Sequence, residues 1–192
     1  MENERNYLTR EEINAHKARF RRGITPIAVY CGTYHKYNSG NLFGIWVDLA
    51  SFNDSEELLE FCRRYHAGEN DPELMFQDYC GFPSQLYREA ATKEDFDKIY
   101  EWIDLEDSKK DACEEYWEHV DKDAKIEDIL ECKEYDGPFS KYANEKADER
   151  LYDIAYGDEE ALAWLQLYFN YKEHEDDLKR DFNVTPNFVF NT

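Results

Sequence analysis

The stretch Thr92–Asp136, TKEDFDKIYEWIDLEDSKKDACEEYWEHVDKDAKIEDILECKEYD, sets how the rest of the chain is read. Acids recur on almost every turn, and between them fall Phe96, Ile99, Trp102, Ile103, Tyr116, Trp117, Val120, Ile126 and Ile129. Large apolar residues at helical spacing separate this tract from a disordered acidic tail, because each helix has a face to bury. Two or three short helices are expected, holding negative charge in fixed places. Thr92 with Asp95 forms a capping signature at the start, and Asp107 or Ser108 offers a second cap before DACEEYWEHV.

The charge is concentrated here. Of 192 residues, 44 are acidic and 23 are lysine or arginine, for a net charge of −21. Residues 68–136 alone carry twenty-three acids and eight bases, whereas residues 1–26 carry six bases and four acids. So acidic a chain is not a general nucleic-acid binder, since phosphate contacts need a basic face. Its partners should be cationic, such as a basic protein surface. Aromatics at 16% and hydrophobics at 42% supply enough core for a folded domain or a few small subdomains.

Upstream, residues 1–25 form a basic N-terminal extension. Thr9 with Glu12 makes a capping box, and TREEINAHKARFRRG reads as one helix ending at Gly23. From Pro26 an α+β unit is expected, extending to about residue 91. Ile27–Thr33 and Leu42–Leu49 read as two strands around the turn-rich HKYNSGN. Asp54 with Glu57 caps a helix with Leu58, Phe61, Cys62 and Tyr65 on one face. ELMFQDY is a third strand, stopped by Gly81-Phe82-Pro83. Downstream, a short strand near Glu131–Tyr135, helices over Ser140–Tyr156 and Glu159–Tyr171, and a final strand through Thr185–Phe190 complete the chain. Leu162, Leu165 and Phe169 would share one face of the second of these helices. The fold class is α+β, elongated, with three small subdomains.

No catalytic constellation is present. The chain has no phosphate loop, no G-x-S-x-G and no H-E-x-x-H. His16, His35, His66, His119 and His174 are widely spaced, and His35, in the turn-rich loop, is the one histidine to inspect as a catalytic candidate. Cys31, Cys62, Cys80, Cys113 and Cys132 are odd in number and show no C-x-x-C, which argues against a zinc site or a disulfide framework and for free thiols in a reducing cytoplasm. No cofactor, metal, signal peptide or membrane span is expected.

What remains is the acidic surface. Duplex DNA carries one charge per about 1.7 Å of axis, so twenty-one charges at that density would cover roughly 36 Å. One helix cannot reach that density, because acids on its face lie about 5–6 Å apart, so several elements must lie side by side. The blander reading is a solvated face that confers solubility. A third is an enzyme with an acidic metal site.

IAVYCGTYHKYNSGNLFGIWVDL (Ile27–Leu49) and DPELMFQDYCGFP (Asp71–Pro83) resemble the N-terminal region of the ArdA antirestriction proteins. YFNYKEHEDDL (Tyr168–Leu178) and FVFN (Phe188–Asn191) resemble that family's C-terminal region. The resemblance implies a non-catalytic DNA mimic, a homodimer, that occupies the DNA-binding groove of type I restriction–modification enzymes, engaging their specificity and modification subunits without binding nucleic acid itself. It implies three domains, at 26–91, 92–131 and 132–192. It places an antirestriction motif and dimer region around Leu165, Tyr168, Phe169, Asn170, Tyr171, Asp177 and Leu178. Asn170 stands where the family commonly has aspartate, and His174-Glu175-Asp176 replaces a stretch that usually includes alanine and arginine. Joined to the charge argument, the phosphate-like positions are Asp95, Asp97, Glu101, Asp104, Glu106, Asp107, Asp111, Glu114, Glu115, Glu118, Asp121, Asp123, Glu127 and Asp128. The rival is a general acidic binding module, a chaperone for basic DNA-binding proteins.

Overall fold

The computed structural model describes residues 7–192, so residues 1–6 of the N-terminal extension lie outside the described residues. The fold is mixed α+β, with nine helices and two small antiparallel sheets among the described residues. The chain forms two compact units, Met1–Asp104 and Leu105–Thr192. The boundary falls inside the acidic stretch Thr92–Asp136.

In the first unit, β1 (Ala28–Thr33) lies between β2 (Ile45–Asp48) and β3 (Leu74–Cys80), antiparallel to both. Being central, β1 is buried along nearly its whole length, while β2 alternates between buried and half-buried positions. The helix expected after Asp54 is α3 (Ser55–Tyr65), whose Leu58, Phe61 and Cys62 are buried. Phe76 of β3 meets Phe96 edge-on at 4.8 Å between centroids. Phe96 belongs to α4 (Lys93–Ile103), which the Thr92/Asp95 capping box opens as expected.

Three readings of this unit need correction. The N-terminal helix, α1 (Arg10–His16), has its capping box at Thr9 and Glu12 but stops at His16, not Gly23. Beyond it the chain runs extended along the edge of β2: Lys17 bridges Val47, and the Ala18 amide donates to the Trp46 carbonyl at 2.9 Å. Burial of Ala18 and the open hydrogen-bonding edge of β2 outweigh the helical propensity of KARFRR. The turn-rich loop holds a short helix, α2 (Tyr34–Asn38), capped by the Thr33 side chain. The second strand begins at Ile45 rather than Leu42, because Gly44 approaches the Cys31 carbonyl so closely that a Cβ there would stand 2.5 Å from it.

In the second unit, α5 (Asp107–His119) and α6 (Ile126–Cys132) lead into β4 (Lys133–Asp136). After α7 (Phe139–Ile154) come α8 (Glu159–Tyr168), α9 (Tyr171–Leu178), β5 (Phe182–Val184) and β6 (Phe188–Asn191), with sheet order β4-β6-β5. Phe139, Tyr142, Ala143 and Val189 form a core against which Tyr135, Leu178, Phe182 and Val184 pack. Trp117, Ile126 and Ile129 are buried, and the Trp117 indole donates to the Ala124 carbonyl at 2.8 Å.

Here the expected boundaries move. Helix α5 starts one residue before Ser108, with Glu106 at the cap position and no side-chain cap bond. The expected helix over Glu159–Tyr171 breaks after Tyr168, because the Asn170 side chain accepts from the Glu173 amide and starts α9. The last strand begins at Phe188; before it, Thr185 Oγ1 accepts from the Phe188 amide and closes a turn.

Candidate functional site

Helix geometry sorts the acids. In α4, Phe96, Ile99 and Trp102 are buried, and Glu94, Asp97, Glu101 and Asp104 fall on the opposite, exposed face. Two of the fourteen candidates there have structural work. Asp95 completes the capping box, accepting from the Thr92 amide at 2.9 Å. Asp97 takes the Lys93 ammonium at 2.8 Å and the Ser55 hydroxyl, and these bonds, chiefly that from Lys93, hold its carboxyl below the usual range.

In α5, Ala112, Cys113 and Trp117 are buried, and Asp107, Asp111, Glu114 and Glu118 make one exposed row on the far side. The row runs over roughly 16 Å of helix at 1.5 Å per residue. Like charges three and four residues apart repel. Glu114 shows this, since partial burial and then the neighbouring Asp111 push its carboxyl pKa up. Helix α6 turns Ile126 and Ile129 inward and exposes Glu127 and Asp128. Glu106 is exposed at the start of α5, 3.9 Å from Lys109, and Asp123 lies 2.9 Å from Lys122. Asp121 is exposed while its carboxylate accepts from the Asp123 amide at 3.0 Å.

Glu115 departs from the row. It is half-buried and accepts from the Asn187 backbone amide at 3.0 Å and from the Asn187 side chain at 2.5 Å. Burial opposes its ionisation, yet the bonds from Thr185 and Asn187 leave its pKa below the ordinary value. It fastens α5 to the β5–β6 turn. Asp95 and Glu115 are therefore half-buried and structural, Asp97 is exposed but bonded to Lys93 and Ser55, and the other candidates are exposed. The α4 acids belong to the first unit and those from Glu106 onward to the second.

Two features escaped the sequence reading. Glu145, Glu149 and Asp153 form a further exposed row on α7, at a spacing of four residues that was there to be read. On α8, Trp164, Leu167 and Tyr168 are 61%, 73% and 70% exposed. Of the candidate dimer residues, Tyr168 and Asp177 are exposed, Leu165 and Phe169 are half-buried, and Asn170 is the α9 cap. The Tyr171 hydroxyl donates to Asp148, and Leu178 packs on the core. Leu162, expected beside Leu165 and Phe169, is likewise half-buried.

The family model for the antirestriction protein ArdA matches residues 29–188. The chain belongs to the ArdA family. No curated protein and no solved structure matches it. The matched span holds the acidic helices of this ArdA-family chain and α8, but not its N-terminal segment.

His35 is exposed beside an open pocket of about 350 Å³, lined also by Lys36, Ser39, Asn41, Gly68 and Glu69. His66, set aside in the sequence as an isolated histidine, is buried: its Nδ1 accepts from Lys36 Nζ at 2.9 Å and its Nε2 faces the Cys31 carbonyl at 3.3 Å. Lys36 also meets Glu69 at 2.6 Å, and Glu69 accepts from the Thr33 hydroxyl. Burial, then the Lys36 charge, lowers the His66 pKa to about 4. Among the described residues no three His, Cys, Asp or Glu side chains converge to hold a metal ion, and no helix is long and apolar enough to cross a membrane.

Proposed function

We propose that this protein is a DNA mimic and a competitive, non-catalytic inhibitor of type I restriction–modification enzymes. The observation that carries the reading is the row Asp107, Asp111, Glu114 and Glu118, exposed on a helix whose other face is packed. Carboxylates held at 5–6 Å spacing on a rigid support suit the lysine and arginine lining of a DNA groove, because charge-assisted bonds gain most when no flexible chain has to be ordered. Membership of the ArdA family supports the same reading. The phosphate-like set is then the exposed members of the candidate list that have no structural bond to keep, with Asp95, Asp97 and Glu115 holding the helices in place. In this reading segments 26–91 and 132–192 flank the acidic helices of 92–131, the protein works in the cytoplasm beside the enzyme, and the apolar face of α8 joins two copies.

The test is displacement. A type I modification methyltransferase is assembled on labelled target duplex, and the protein is titrated in at two salt concentrations. Near-stoichiometric displacement that weakens with salt is expected. No displacement by folded protein at large excess would defeat the proposal. Equal affinity for unrelated basic proteins would favour the general acidic binding module instead.

A further inference from the structure

The outward face of α7 interleaves acids with aromatic rings. Glu145, Glu149, Tyr152, Asp153 and Tyr156 follow one another along one side of the helix and its C-terminal corner, and all are exposed. The opposite side is buried through Phe139, Tyr142, Ala143, Ala147 and Leu151. Tyr152 lies along its own unit, lining a cleft with Leu162 and Gln166.

Tyr156 does not. Its side chain is 97% exposed, and its backbone φ is +53°, in the left-handed region. A bulky residue there costs on the order of 1–3 kcal/mol, and glycine or asparagine would sit there more easily. The corner is firmly closed: the Tyr156 amide donates to Asp153 at 3.2 Å, Gly157 follows at φ +78°, and the Asp158 amide donates to Ala155 at 3.0 Å. A strained, well-fixed turn thus holds an aromatic ring out into solvent, with Asp153 and Glu159 exposed close by in the chain, while the Asp158 carboxylate caps α8. Nothing in the packing of the unit accounts for that ring.

We infer that Tyr156 stands in for an extrahelical base, entering the base-binding pocket of the modification subunit of a type I enzyme. The inference rests on the DNA-mimic reading. An enzyme that modifies a base within a duplex takes the base out of the stack into a pocket that grips its flat faces. A phenol ring fits such a stacking slot, and carboxylates on either side take the places of the phosphates flanking an extruded nucleotide. Duplex DNA spends a few kcal/mol on unstacking and unpairing before its base enters. The ring of Tyr156 is already outside, so the mimic binds without that cost.

The experiment uses the full chain against an assembled type I modification methyltransferase on labelled duplex. Wild type, Tyr156→Phe, Tyr156→Ala and Tyr156→Gly are compared by displacement, and by sedimentation for assembly state. Tyr156→Phe should match wild type. The Ala and Gly variants should need roughly tenfold more protein, toward the low end of what one stacked ring contributes. Their assembly state should not change, and the Gly variant, freed of backbone strain, should be at least as stable as wild type. A benzophenone side chain at position 156 should crosslink to the modification subunit. Wild-type displacement with an unimpaired Tyr156→Ala would overturn the inference and leave the mimic standing. A crosslink to the specificity subunit or to a second copy, or a change in assembly state, would also overturn it, the last two by assigning the ring to a self-interface. Failure of wild type to displace DNA would bring down the mimic and this inference with it.

Discussion

The two units of the chain divide the charge unequally. Met1–Asp104 holds nineteen acids and twelve bases, and Leu105–Thr192 holds twenty-five acids and eleven bases in fewer residues. The first unit spends its polar groups inward: Thr33, Glu69, Lys36 and His66 form a chain of bonds beneath β1 and α2. The second turns its carboxylates outward in rows on α5, α6 and α7 and keeps its interior for aromatic and aliphatic packing. The first unit adds one charged row, on α4, to a largely scaffolding role, and the second carries most of the exposed acids.

Several experiments would break or sharpen that contrast. The largest effect should come from neutralising Asp107, Asp111, Glu114, Glu118, Glu127 and Asp128 together. Inhibition should fall by about a hundredfold or more, at roughly 0.5 kcal/mol per lost pair, while neutralising the three exposed acids of α3, Glu56, Glu57 and Glu60, should change it little. Were one of the six alone to abolish inhibition in a folded protein, a distributed surface would be the wrong description.

Acid should act on the first unit instead. The His66 pKa is about 4 in the fold against 6.5 unperturbed, so between those values the unfolded chain binds more protons. The stability tied to neutral His66 is fully present above pH 6.5 and is lost as pH falls through 4, by roughly 3 kcal/mol at most. Denaturant melts from pH 7 to 4 check this, and His66→Gln should flatten the dependence.

Glu115 and Glu118, three residues apart on α5, make a finer test. Glu115→Gln should destabilise the protein by about 1–2 kcal/mol, because the Asn187 amide loses a charged acceptor. Glu118→Gln should stay within about 0.5 kcal/mol. The smallest effect is that of salt: rising sodium chloride should raise the melting temperature by a few degrees, by screening repulsion such as that between Asp111 and Glu114. A fall would mean that attractive pairs dominate.

Much of the fold is legible in the sequence where caps and periodicity agree. Thr9/Glu12, Asp54/Glu57 and Thr92/Asp95 each open the helix they announce. Reading fails where a partner distant in sequence decides. KARFRR is helical by propensity, but the edge of β2 takes Lys17 and Ala18, and Arg21 bridges Ile24 across a turn. Glu115 reads like its neighbours, and only Asn187, far along the chain, makes it structural. His66 looks idle until β1 and α2 are placed around it. In the acidic surface the rows on α4, α5 and α6 follow from spacing alone, whereas the exposure of Tyr156 depends on a left-handed turn that no side-chain pattern encodes.

The N-terminal segment along β2 has a consequence for how the chain is made. His16 stacks on Phe52 at 4.2 Å and meets Phe61 at 5.0 Å, and Glu12 pairs with Arg64. A ribosome adding about 5–20 residues per second presents that docking site several seconds after the segment itself has emerged. The segment from Glu12 to Ala18 is thus made before the surface it docks on and is among the last parts of its unit to settle, a seam sewn shut only once the cloth behind it exists.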